Sequence, residues 1–139
     1  MKYAFLSIGA NQQDPIRTIH LANHKIQAIA GTCIIHASEI FQTLPFGVTQ
    51  QPLFYNQVMH ICTHIDPFQL LRACQHIELQ LGRVRHLPWG PRAIDIDILA
   101  YENFTIRHPR LVLPHPQIWE RSFINKALKH HYPKHFLKI

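Results

Sequence analysis

AIDIDILAY, residues 93–101, decides how this chain is read. Apolar and polar residues alternate one by one, which is the period of a half-buried β-strand. Ile94, Ile96, Ile98 and Ala100 fall on one face, and Asp95, Asp97, Leu99 and Tyr101 on the other. The two carboxylates therefore project the same way, about 6.6 Å apart along the strand. Like charges at that distance repel.

The same reading extends upstream. Residues 3–9, YAFLSIG, are a buried first strand. Asp14-Pro15 opens a helix, because Asp at the N-cap accepts an orphan N–H and Pro at N1 has none to lose. Ile16, Ile19, Ala22, Ile26 and Ile29 recur at helical spacing, and Gly31 stops the run. Residues 33–42 form a second strand and residues 55–65 a third. Between them, 43–52 holds two prolines and a glycine and is a loop. Asp66-Pro67 repeats the helix start, and Phe68, Leu70, Leu71, Cys74, Ile77 and Leu81 form an apolar stripe that ends at Gly82. A second loop, 83–92, carries three arginines. Beyond the 93–101 strand, the pattern predicts a loop and a C-terminal helix.

The succession β-α-β-β-α-β plus one helix predicts an α+β fold: a ferredoxin-like sandwich with helices on one face of an antiparallel sheet. All 139 residues fit a single domain, 1–139, and 47% apolar residues suffice for a core. The N-terminal apolar run is too short for a signal peptide, and no stretch approaches a membrane span, so a cytoplasmic protein without a membrane partner is expected. The net charge of +6 favours anionic ligands. Cys33, Cys62 and Cys74 are odd in number and lack CxxC spacing, which predicts reduced thiols. His60, Cys62 and His64 would share a strand face, but i, i+2 spacing is wide for one zinc and no fourth ligand is evident.

Two readings of Asp95 and Asp97 compete. They could be solvated carboxylates on an exposed face. They could instead hold Mg²⁺, which prefers hard oxygens and takes its remaining ligands from phosphates. The neighbouring Arg83, Arg85 and Arg92 favour the second reading, since arginine offers forked donors to phosphate. Metal-binding carboxylates beside such arginines suit phosphoryl transfer. No Walker A motif is present.

The segment WGPRAIDIDIL (89–99) is joined, in order, by SIGAN (7–11), TLPFG (43–47), FYNQV (54–58), QHIELQLGRVR (75–85) and RLVLPHPQIWERSF (110–123). Together they resemble the 6-hydroxymethyl-7,8-dihydropterin pyrophosphokinase family, over nearly the whole chain. The resemblance implies transfer of the β,γ-pyrophosphoryl group of ATP to the pterin hydroxymethyl oxygen in folate biosynthesis, giving AMP. It implies two Mg²⁺ ions between the triphosphate and Asp95 and Asp97, and it leaves open a part for Asp95 in orienting the attacking hydroxyl. Arg83 and Arg92 would act on the phosphates as loop 83–92 closes. Gln75, Glu78, Arg85, Arg110, His115 and Arg121 match positions near ATP, with Glu78 placed at the polar edge of its helix. Thr43, Pro45, Phe46, Asn56, Trp89 and Phe123 would form the pterin site, Trp89 and Phe123 against the ring faces. Ala10, Phe54 and Pro116 depart from common family residues. The family implies small-molecule substrates, no nucleic acid, and a monomer. The rival classes are an RNA-binding module, which would need the absent RNP1 pattern, and a phosphohydrolase that shares the acid pair.

Overall fold

Two Asp-Pro dipeptides set where the helices begin, as local capping chemistry dictates. The computed structural model describes residues 1–43, 53–82, 94–116 and 118. Its elements are β1 (Lys2–Ala10), α1 (Pro15–Gln27), β2 (Thr32–Ala37), β3 (Phe41–Thr43), β4 (Phe54–Thr63), α2 (Pro67–Gln80), β5 (Asp95–Tyr101), β6 (Ile106–His108) and β7 (Leu111–Leu113). At the start of α1 the Arg17 amide donates to the Asp14 carboxylate at 3.3 Å. At the start of α2 the box is reciprocal. The Gln69 amide donates to Asp66 Oδ1 at 2.9 Å, and the Asp66 amide donates to Gln69 Oε1 at 3.1 Å.

The main sheet has the order β2-β4-β1-β5, with β3 also paired to β4, and every pairing is antiparallel. It follows that β1 and β2 run parallel with β4 inserted between them, and β4 and β5 run parallel with β1 inserted. Each parallel pair is bridged by one helix, which is two interleaved βαβ crossovers. Both helices pack on one face. Ile19, Ala22 and Ile26 of α1 and Leu70, Cys74 and Ile77 of α2 share one buried cluster with Ala4, Leu6, Ile8, Met59, Ile61, Ile96 and Ile98. β6 and β7 form a separate hairpin.

Two strand expectations are corrected. The single strand expected over 33–42 is two strands, β2 and β3, broken at Ser38. There the Val58 amide donates to Ser38 Oγ at 3.0 Å, and Gln57 Nε2 donates to the Ser38 carbonyl at 3.0 Å. Side chains thus replace rungs of the ladder and end the regular pairing. The strict alternation along 94–101 also fails. Phe5 pairs with Ala100 but Leu6 pairs with Ile98, so Leu99 is an extra residue in a bulge. Beyond the bulge the faces exchange, and Tyr101 joins the helix-side core instead of the acidic face. Its hydroxyl donates to the Ile65 carbonyl at 2.6 Å. The expected C-terminal helix, the loop 83–92 and the loop 43–52 apart from Thr43, which instead ends β3, lie outside the described residues.

Candidate active site

The face of the sheet away from the helices carries one continuous row of site residues. Asp95 on β5 lies opposite Gly9 on β1, Gly9 lies opposite Asn56 on β4, and Asn56 lies opposite Phe41 on β3. Directly opposed residues share a face. The next row holds Asp97, Ser7 and Val58. The acid pair and Asn56 are therefore two strand spacings apart, about 10 Å. Asp95 and Asp97 are half-buried, whereas Asn56 and Ser7 are buried.

Asn56 is held in place. Its Nδ2 donates to Thr43 Oγ1 at 2.6 Å, which fixes the amide plane and turns Oδ1 toward β1. Gly9 makes the room for it: a Cβ built there would lie 2.8 Å from Asn56 Oδ1. Gly9 and Ser7 were not singled out from the sequence. The available signal was a glycine inside a buried strand, which marks close approach of a neighbour.

Behind the acid pair stands Glu78. The sequence reading put it at the polar edge of α2, but it is 3% exposed and faces β5. The Ile96 amide donates to its Oε2 at 2.8 Å. Since β5 ends the sheet order among the described residues, this carboxylate satisfies an edge amide that lies between the two aspartates. Glu78 therefore positions the strand that bears the pair. The same patch of negative charge is felt by the thiol of Cys74, pushed up to about 12 by burial first and then by Glu78 and Asp97. Glu78→Ala removes a charged acceptor from a buried amide and should cost about 2–3 kcal/mol of stability. Glu78→Gln, which keeps an acceptor oxygen, should recover most of it; equal losses in denaturant titrations of both variants would assign the cost to packing instead.

The remaining described candidates are more dispersed. The amide of His115 donates to the Leu99 carbonyl at 2.8 Å, and the Ile118 amide donates to the His115 carbonyl at 3.0 Å. The segment after β7, with its cis Leu113–Pro114 bond, is thus docked at the β5 bulge. Arg110 is exposed in the β6–β7 turn, its amide donating to His108 Nδ1 at 3.1 Å. Gln75 is exposed on α2. Arg83, Arg85, Arg92, Pro45, Phe46, Trp89, Arg121 and Phe123 lie outside the described residues. The residues weighed for zinc do not converge: His60 stacks on Phe5 at 4.4 Å, and His64 lies past the end of β4. Among the described residues no three His, Cys, Asp or Glu side chains come together as a metal site.

Asp95 and Asp97 bear on Mg²⁺. Two half-buried carboxylates on one face are hard oxygen donors of the right kind. Mg²⁺ on a nucleotide is usually held by one or two carboxylates, with phosphate and water oxygens in its other positions. The residues present fit the ion.

A family model described as 7,8-dihydro-6-hydroxymethylpterin-pyrophosphokinase matches residues 5–133. A 2-amino-4-hydroxy-6-hydroxymethyldihydropteridine pyrophosphokinase of Methylorubrum extorquens is 41% identical over 124 residues, covering 89% of this chain and 78% of the relative. The protein of the same name from Haemophilus influenzae is 36% identical over 121 residues, covering 87% and 76%. The folic acid synthesis protein fol1 of Schizosaccharomyces pombe is 38% identical over 127 residues, which are 91% of this chain but 17% of that one.

Proposed function

Since the chain belongs to the 7,8-dihydro-6-hydroxymethylpterin-pyrophosphokinase family, a group of ATP-using transferases of folate biosynthesis with a pterin substrate, we propose that the Asp95–Gly9–Asn56 row is where the two substrates meet. Asn56 and Thr43 bind the pterin at one end of the row. A fixed side-chain amide offers a donor and an acceptor to the amide-like edge of the ring. Pro45, Phe46, Trp89 and Phe123 complete that site, with aromatic faces against the flat bicycle. Asp95 and Asp97 take the other end. When bound there, Mg²⁺, as two ions, neutralises the triphosphate and orients it for in-line displacement.

The remaining roles follow from charge. Arg83 and Arg92 hold the transferring β,γ-pyrophosphoryl group and stabilise its charge. Their loop, 83–92, excludes water, which would otherwise accept the group in place of the pterin hydroxymethyl oxygen. Arg85, Arg110, His115, Arg121 and Gln75 line the nucleotide. Glu78 acts from beneath by holding the Ile96 amide. The hydroxyl attacks the β-phosphorus, the bond to the α-phosphate oxygen breaks, and AMP leaves. Closing residues 1–139 as one ferredoxin-like domain with a C-terminal helix belongs to the same reading, as do a monomeric state and a cytoplasmic setting. No helix among the described residues is long and apolar enough to cross a membrane.

The observation that carries the assignment is the register that sets Asp95 and Asn56 on one row, either side of Gly9. Product analysis tests it. The protein is mixed with ATP, Mg²⁺ and 6-hydroxymethyl-7,8-dihydropterin, and nucleotides are separated. AMP that appears only when pterin is present is the expected result. ADP, or free phosphate without pterin, would instead indicate an ordinary kinase or a hydrolase.

A further inference from the structure

Two thiols stand face to face at the end of the sheet remote from the acid pair. Cys33 on β2 is directly opposite Cys62 on β4. We propose that these two residues are a redox-modification site, at which a hydroperoxide converts the thiol pair into a reversible cross-strand disulfide.

Register and contact support the pairing. Opposed residues of an antiparallel ladder have Cα atoms about 4.5–5.5 Å apart. That lies within the roughly 4.4–6.8 Å range that a disulfide spans. One step along the same ladder, the opposed hydroxyls of Thr32 and Thr63 meet at 2.7 Å, so facing side chains here do touch. The Cys62 thiol is pushed up by burial first and then by the neighbouring Cys33, whose own thiol donates to the Ile34 carbonyl at 3.7 Å. Both thiols are free.

Exposure divides the labour between them. Cys33 is exposed at an end strand of the sheet, and Cys62 is 7% exposed. Oxidant therefore reaches Cys33 first. Its thiolate attacks the O–O bond, an S–O bond forms, and the alcohol leaves with a proton, giving a sulfenic acid. The Cys62 sulfur then attacks the Cys33 sulfur. The S–O bond breaks, and the departing hydroxide takes the Cys62 proton as water. Two thiols and one hydroperoxide become one disulfide, one alcohol and one water. Cys74 is no alternative partner, being fully buried among the helix-side core residues. The pair is six residues along β4 from Asn56, about 20 Å, so it does not overlap the site of transfer. The crosslink would close a ring that contains β3 and hence Thr43, and would restrict the unfolded chain.

The test uses the full chain, reduced, desalted and exposed to hydrogen peroxide. Remaining thiols are alkylated and peptides are mapped without reduction. The expected product is one intrachain Cys33–Cys62 link that dithiothreitol reverses, with a melting temperature raised by about 3 °C or more. Cys33→Ser and Cys62→Ser should each show neither link nor shift. Cys33→Ser, at an exposed position, carries this control even if the buried variant fails to fold. Cys33 accumulating as sulfinic acid or as an intermolecular disulfide while Cys62 stays alkylatable would overturn the proposal. Retention of both thiols under peroxide would do the same.

Discussion

Asp97→Ala is expected to lose about a thousandfold or more in pterin-dependent AMP formation while remaining as stable as the parent. The side chain is half-buried and lies on the face away from the helices, between core residues Ile96 and Ile98 that point the other way. Removing it opens no cavity in the helix-side core. In the absence of divalent cation the variant is therefore expected to melt close to the parent. Function should respond in the opposite sense. On the proposed assignment, one remaining carboxylate would leave the hard-oxygen site with half of its charge, and the triphosphate would lose the ion that neutralises and orients it. Asp97→Asn separates charge from shape: it should resemble Asp97→Ala in turnover and need more Mg²⁺ than the parent. Activity of either variant near the parent level would remove Asp97 from the metal site. A variant that unfolds would mean that the residue serves the strand and not the ion.

What could be read from the sequence divides along physical lines. The helix starts at Asp14-Pro15 and Asp66-Pro67 were legible because a cap involves only residues three or four apart. The acidic face of 93–101 was legible as far as Ile98, because a regular strand alternates by itself. The bulge at Leu99 was not, since it depends on how Phe5 and Leu6 pair with another strand. The break at Ser38 depends likewise on Gln57 and Val58, some twenty residues away. Glu78 was misplaced for a different reason. It follows Cys74 by four residues and so falls within the apolar stripe of α2, and the charge was given more weight than the spacing. Its burial is tolerated because the edge amide of Ile96 supplies a partner, and no local pattern announces that. The family segments include Gly9, within SIGAN at 7–11, but gave it no part, because what its missing side chain does depends on Asn56 across the ladder.

Gly9→Ala should raise the KM for the pterin by about ten- to a hundredfold and change kcat less. The added methyl would sit 2.8 Å from Asn56 Oδ1, a distance that cannot stand. Gly9 is the next-to-last residue of β1 but is paired on both sides, so the amide moves more readily than the backbone. An amide at the end of a side chain can usually swing aside at little cost. Here it is tied by Nδ2 to Thr43 Oγ1 at 2.6 Å, and turning it breaks that bond. The donor and acceptor offered to the ring edge then point elsewhere, while Asp95 and Asp97 stay where they were. Mg²⁺ and ATP binding should therefore be unchanged, which distinguishes this variant from Asp97→Ala. A double-mutant cycle locates the effect. If Gly9 acts only through Asn56, Gly9→Ala added to Asn56→Ala costs little further in pterin affinity. Additive losses, or a loss of ATP affinity in Gly9→Ala alone, would show that the glycine serves the phosphates or the strand, and the pterin would have to be placed off the Asp95–Gly9–Asn56 row.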